Sequence, residues 1–78
     1  MESATLMSQV CEIIRQSLGL KQVSEDAALG RTPKWDSLNH IKIILGIEKA
    51  FQLKVGTENV ATLVSAKAIA DFLKGHAA

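Results

Sequence analysis

The chain has 78 residues, of which 47% are hydrophobic and 22% are charged, so it can form one small globular domain with a modest core. Nine basic and eight acidic residues give a formal net charge of +1, which disfavours a dedicated nucleic-acid-binding protein because such proteins carry a clustered basic excess. One cysteine cannot form an internal disulfide, and neither a signal peptide nor an apolar run of membrane-spanning length is evident, so we expect a cytoplasmic protein with no membrane partner.

A first helix is predicted over residues 4–18, where apolar residues recur at helical spacing. Ser3 is a candidate N-cap, and Gly19 is placed to end the helix. Cys11 lies beside the apolar face. Because no histidine or cation nearby in the sequence would lower its pKa, we interpret it as a buried, unreactive thiol.

Residues 19–35 form a long connection, and connections of this length within compact domains are often functional. Gly30 and Pro33 prevent a regular helix across its second half. Apolar residues are spaced to hold the connection against the helices at Leu20, Val23 and Leu29.

The second helix is predicted over residues 36–52. Asp36 is a good N-cap, because its short carboxylate can accept a hydrogen bond from the free N–H groups of the first turn. Ser37 would then lie at the positive end of the helix dipole, where an attached anionic group is favoured. Trp35 has two interpretations: packing against the first turns of the helix, or a half-exposed contact for a partner.

This second helix is apolar around more than half of its circumference, more than so small a domain can bury. We predict a core side formed by Ile43 or Ile44, Ile47 and Phe51. The remaining apolar flank runs from Ser37 through Leu38, Ile41 and Leu45, and polar residues interleave with it at Asn39, His40, Lys42, Glu48 and Lys49. An apolar flank with a charged rim is typical of a docking surface; the alternative is that the first helix and the long connection cover it.

Two residues within this helix, Gly46 and His40, are unusual enough to be interpreted individually. Gly46 costs about 1 kcal/mol relative to alanine in a helix interior, which indicates a close approach by another element. His40 lies one turn after Ser37, but no acid or oxyanion donor accompanies it in a recognisable arrangement, so we interpret it as a surface histidine.

Two further helices complete the predicted single domain of residues 1–78. Thr57 can cap a short third helix over residues 58–63, and Ser65 can cap a fourth over residues 66–74. Gly75 is the predicted stop. The fourth helix has one apolar face, formed by Ala68, Ile69, Phe72 and Leu73.

Motifs for catalysis by this chain alone are absent from the sequence. It contains no Gly-rich phosphate loop, no Cys/His cluster at zinc spacing and no legible Ser/His/acid set. We therefore expect neither an enzyme nor a metal-binding protein.

The motif Asp36-Ser37-Leu38, at the start of the second of four helices and after a long connection, resembles the acyl carrier protein family. The resemblance covers about residues 4–74 and extends to the apolar second helix, with Glu48 and Phe51, and to Ile69 and residues 72–73 in the last. It implies an all-α fold, a small four-helix bundle with a long loop between helices 1 and 2 and a short third helix.

The resemblance implies that a phosphopantetheinyl transferase attaches 4′-phosphopantetheine from coenzyme A to Ser37 in a Mg²⁺-dependent reaction. The terminal thiol of this arm would carry an acyl or related group as a thioester. Asp36 would cap the helix and help the transferase to hold its metal. Acyl-loading and acyl-processing enzymes would dock on a surface that comprises Trp35, Leu38, Ile41, Lys42, Leu45, Glu48 and Lys49.

One departure from the family concerns charge. Bacterial fatty-acid carriers are usually strongly acidic along the second helix, where this chain has Asn39, Lys42 and Lys49. We therefore expect a carrier with dedicated partners in a specialised or secondary pathway. Met1 and the short tail after Gly75 indicate a freestanding protein, and we expect a monomer. Three alternatives stay open: an aminoacyl or peptidyl carrier for nonribosomal synthesis, a helical interaction domain whose Ser37 is never modified, and a helix-turn-helix DNA binder, which the near-neutral charge disfavours.

Overall fold

The computed structural model of the protein describes residues 3–76. This part of the chain contains four helices, which are α1 (Ser3–Leu18), α2 (Ser37–Phe51), α3 (Thr57–Val60) and α4 (Ala66–His76). It contains no strand, and no helix in it is both long enough and apolar enough to cross a membrane. The prediction of a small, mostly helical chain with four helices is confirmed.

Helix α1 packs against both α2 and α4, so its apolar face forms the centre of the core. The largest fully buried side chains come from all three of these helices and from the residue before the Asp36 cap of α2: Leu6, Val10, Ile14, Trp35, Ile43, Ile47, Ile69 and Leu73. On α2 the predicted core side is confirmed at Ile43, Ile44 and Ile47, whereas Phe51 is only half-buried.

Gly46 faces α1 across a short distance. A Cβ atom at this position would lie 3.0 Å from Ile13 Cγ2 and 3.7 Å from Ser17 Oγ. The predicted close approach is therefore confirmed, and the element that approaches is α1. The absent side chain lets the two helices pack closely although glycine is a poor helix former.

The ends of α1 and α2 share one geometry. Gly19 has a φ of +70°, and the Leu20 N–H donates to the Arg15 carbonyl over 3.1 Å. At the end of α2, Gln52 has a φ of 53° and the Leu53 N–H donates to the Glu48 carbonyl over 3.2 Å. Both are left-handed C-terminal caps, but only the first has the glycine that this conformation favours.

Replacing Gln52 with glycine is therefore expected to stabilise the protein, by about 0.5–1 kcal/mol, because a left-handed conformation is costly for a residue with a Cβ atom. Urea denaturation followed by circular dichroism measures the change. The control is Ala50→Gly, at an exposed position within α2, which should cost about 1 kcal/mol. A loss of stability in Gln52→Gly would contradict this account of the cap.

Several predicted helix ends are wrong. Helix α1 already includes Ser3, which is therefore not its N-cap. The N-cap of α3 is Gly56 rather than Thr57, because Gly56 takes the extended conformation of a cap, and the helix ends at Val60 rather than at residue 63. Helix α4 continues past Gly75 to His76, since one glycine in a last turn is too small a cost to end a helix. The predicted Ser65 cap is confirmed, because its Oγ accepts from the Ala68 N–H over 3.1 Å.

The long connection between α1 and α2 is tied to the segment before α4. Ala28 and Ser65 form an isolated antiparallel bridge. Its two hydrogen bonds run from Leu29 N–H to the Val64 carbonyl, over 2.8 Å, and from Ala66 N–H to the Ala27 carbonyl, over 3.0 Å. Together with the partial burial of Leu20, Val23 and Leu29 against the core, this bridge fixes the path of the chain into α2.

Candidate functional site

Ser37 is the first residue of α2 and its side chain is exposed. Asp36 before it is extended, with a φ of −113° and a ψ of −176°, and its carboxylate accepts from the Asn39 N–H over 2.9 Å. Its carbonyl accepts from the His40 N–H over 2.8 Å. The predicted cap is confirmed, and the Ser37 hydroxyl makes no hydrogen bond to any residue between 3 and 76.

The backbone before the cap is held by the first turn of α2. Lys34 has a φ of 68°, and its carbonyl accepts from the Asn39 side-chain amide over 2.7 Å and from the Asp36 N–H over 3.1 Å. Asn39 therefore holds the turn that presents Asp36 and Ser37. The sequence contains no distinctive signal for this role, because a surface asparagine in a first turn is common.

Trp35 and His40 form a buried pair beneath the site. Trp35 is 2% exposed and His40 is 5% exposed. The Trp35 indole N–H donates to His40 Nδ1 over 3.0 Å, and the two rings stack with centroids 5.9 Å apart. Because Nδ1 accepts, Nε2 carries the hydrogen and donates to the Val60 carbonyl over 2.8 Å. Each ring nitrogen of the histidine therefore has a partner within the domain.

These contacts correct two sequence-based interpretations. His40 is not a surface histidine, and Trp35 is not part of the docking surface, because burial removes it from reach of a partner. Packing, the other interpretation of Trp35, is confirmed. The pair occupies the two positions of a hydrophobic staple: Trp35 is the residue before the cap, and His40 is the fourth residue of the helix. A hydrogen bond joins the two rings in addition to their stacking contact.

The predicted apolar flank of α2 is open to solvent. Leu38 is 73% exposed, Ile41 is 47% exposed and Leu45 is 57% exposed. These are the exposed large hydrophobic residues of the described chain. The alternative that α1 and the long connection cover this flank is wrong, because all three side chains remain exposed, and α1 contacts α2 at Gly46 instead. Lys42 and Lys49 on the same helix are also exposed.

Glu48 differs from the other predicted docking residues. It is half-buried, and its carboxylate accepts from the Val55 N–H over 2.7 Å. Val55 is itself buried, so this hydrogen bond satisfies a backbone donor that would otherwise lose its solvent partner. Glu48 thus holds the connection after α2 through one carboxylate oxygen, a structural role that its sequence pattern did not predict.

Cys11 and a groove along the long connection are two further features of the domain. Cys11 is half-buried rather than buried as predicted, and its partial burial raises the pKa of the thiol, which the nearby charge of Glu25 raises further, in keeping with an unreactive thiol. An open groove of about 660 Å³ is lined by the long connection, over residues 20–27 and 31–33 apart from Glu25. Neither feature includes a residue of α2.

The chain matches none of the protein-family models with which it was compared.

Proposed function

We propose that the protein is a carrier that holds an acyl-type intermediate as a thioester on a 4′-phosphopantetheine arm attached to Ser37, and that it presents this intermediate to partner enzymes. One observation carries the proposal: an exposed serine with an uncommitted hydroxyl follows an aspartate cap at the N-terminus of the most apolar helix. A phosphodiester at this position is favoured by the helix dipole and by the free N–H groups of the first turn.

The proposed arrangement of the chain is that of an acyl-carrier bundle. Support comes from the four helices, the long connection before α2 and the short α3, together with the resemblance of Asp36-Ser37-Leu38 to the attachment motif of that family. Because α2 exposes Lys42 and Lys49 where fatty-acid carriers are acidic, the proposed partners are dedicated enzymes of a specialised pathway. The aminoacyl or peptidyl alternative uses the same serine and the same arm.

The attachment is a phosphoryl-group transfer. The Ser37 oxygen forms a bond to the phosphorus of the phosphopantetheine half of coenzyme A, the pyrophosphate P–O bond breaks, and adenosine 3′,5′-bisphosphate leaves. The serine proton needs an acceptor. His40 cannot serve, because its Nδ1 accepts from Trp35 and its Nε2 donates to Val60. The transferase must therefore supply the base.

Two substitutions at Asp36 separate its proposed roles. Asp36→Ala should cost about 1 kcal/mol of stability, because it removes the cap on the Asn39 N–H, whereas Asp36→Asn should cost little, because asparagine caps equally well. If the carboxylate helps the transferase to hold Mg²⁺, both variants should be modified about 10- to 100-fold more slowly than the wild type. Urea denaturation measures the first effect and the rate of mass gain measures the second. Wild-type rates in Asp36→Asn would show that Asp36 is only a cap.

The direct test of the proposal is the intact mass of the protein after incubation with coenzyme A, Mg²⁺ and a broad-specificity phosphopantetheinyl transferase. The expected result is a mass gain of one phosphopantetheine and one additional thiol beside Cys11. Omission of Mg²⁺ should prevent both changes. If several transferases leave the mass of the folded protein unchanged, the carrier proposal fails, and a helical interaction domain with an unmodified serine becomes the better account.

A further inference from the structure

The exposed side of α2 has a regular order of side chains. Leu38, Lys42, Leu45 and Lys49 follow one another at spacings of four, three and four residues, which places them in one row along the helix. Leu38 and Leu45 are 73% and 57% exposed, and both lysines are exposed. Ile41 lies beside this row and widens its apolar part. Each leucine is thus followed along α2 by a lysine that lies on nearly the same side of the helix.

No carboxylate among residues 3–76 forms an ion pair with the two lysines of this surface. The one carboxylate within α2, that of Glu48, accepts from the Val55 N–H. Asp36, which precedes the helix, is engaged by the Asn39 N–H. The ion pair that the structure contains among residues 3–76 joins Arg15 to Glu12 on α1. Neither Lys42 nor Lys49 therefore has an acidic partner within this part of the chain.

From this arrangement we infer that the partner which docks on α2 presents an apolar cleft rimmed by carboxylates. The cleft accepts Leu38, Ile41 and Leu45, and the carboxylates pair with Lys42 and Lys49. Apolar contact supplies the greater part of the affinity, while the complementary charges select the partner and set the register along the helix. The inference rests on the proposed function in one respect, since that function identifies the partner as an enzyme acting on the group carried at Ser37.

Two other occupants fit the surface less well. A second copy of this chain, docked through the same face about a two-fold axis, would bring the lysines of both copies into one interface, where like charges repel. An anionic membrane surface usually recruits clusters of about 4–8 basic residues, whereas this row contains two lysines. A protein surface with a small number of placed carboxylates matches the row better than either.

The test uses two synthetic helical peptides that share one leucine face, one rimmed by glutamate and the other by lysine. Amide chemical shifts of the ¹⁵N-labelled, unmodified protein are followed during titration with each peptide at low salt. We expect the glutamate peptide to bind about tenfold more tightly than the lysine peptide, on the basis of two exposed charge pairs. The shift changes should follow residues 38–49, and the preference should diminish as salt is added.

Charge reversal at both lysines provides the decisive comparison. Lys42→Glu/Lys49→Glu should invert the preference between the peptides. Lys67→Glu/Lys74→Glu makes the same change at the same spacing on exposed positions of α4, and it should leave the preference unchanged. Both variants should keep the wild-type circular dichroism spectrum.

Several outcomes would overturn the inference: equal affinities, binding outside α2, binding of neither peptide, self-association through α2, or tighter binding to phosphatidylglycerol vesicles than to the glutamate peptide. Because peptide binding does not require the arm, the two proposals fail separately. A peptide preference without any mass gain would refute the carrier proposal and support the inference of an acidic partner surface. A mass gain without the peptide preference would support the carrier proposal and refute the inference.

Discussion

Replacing Trp35 with alanine is expected to lower the free energy of unfolding by about 3–5 kcal/mol, the usual cost of truncating a large buried aromatic residue. Trp35 is 2% exposed and is among the largest fully buried side chains of the protein. A domain of this size has a total stability of only a few kcal/mol, so Trp35→Ala should be largely unfolded. Circular dichroism and urea denaturation measure the loss.

The control for this substitution is Trp35→Phe, which keeps most of the apolar ring and removes the N–H that donates to His40. It should be folded and less stable than the wild type by about 1–3 kcal/mol, since the His40 acceptor is left unpaired. A partner contact at Trp35 would give another pattern, with unchanged stability in Trp35→Ala and weaker binding. That pattern would contradict the assignment of Trp35 to the core.

Replacing His40 with phenylalanine should lower the free energy of unfolding by about 2–4 kcal/mol, because it leaves two groups without partners. These are the indole N–H of Trp35 and the carbonyl of Val60, which the histidine joins through opposite ring nitrogens. The same substitution separates α3 from the start of α2, so we expect the amides of residues 57–60 to lose protection from hydrogen exchange.

A double-mutant cycle isolates the Trp35–His40 hydrogen bond. Trp35→Phe/His40→Phe removes the donor and the acceptor together, so the loss in the double variant should be smaller than the sum of the single losses by about 1 kcal/mol or more. Additive losses would show that the two residues contribute independently. A stability equal to that of the wild type in His40→Phe would contradict the hydrogen-bonding scheme itself.

Helix α2 and its exposed flank were predictable because their signals are local. Asp36 is a strong cap, and the alternation of apolar and polar residues at helical spacing defines which side faces the core. The structure places the start of α2 directly after Asp36 and exposes Leu38, Ile41 and Leu45, as predicted. The staple position of Trp35 is a local signal too, and it favoured the packing that the structure contains.

His40 was predicted incorrectly, and the hydrogen bond of Glu48 was not predicted, because both side chains pair with backbone groups that lie outside α2. His40 binds the Val60 carbonyl across 20 positions, and Glu48 binds the Val55 N–H across the turn that follows α2. Neither pairing has a sequence signal, since any polar residue on the edge of an amphipathic helix has the same pattern whether it is solvated or paired. The bridge between Ala28 and Ser65 is unpredictable for the same reason.

The central claim, that Ser37 is the attachment point of a phosphopantetheine arm, is tested most directly by comparing two serine variants by intact mass. Ser37→Ala and Ser8→Ala each remove one exposed hydroxyl, the first at the N-terminus of α2 and the second on α1. Both should remain folded after incubation with coenzyme A, Mg²⁺ and transferase. We expect Ser8→Ala to gain one phosphopantetheine, as the wild type does, and Ser37→Ala to gain none. A mass gain in folded Ser37→Ala, or no gain in the folded wild type, would contradict the claim.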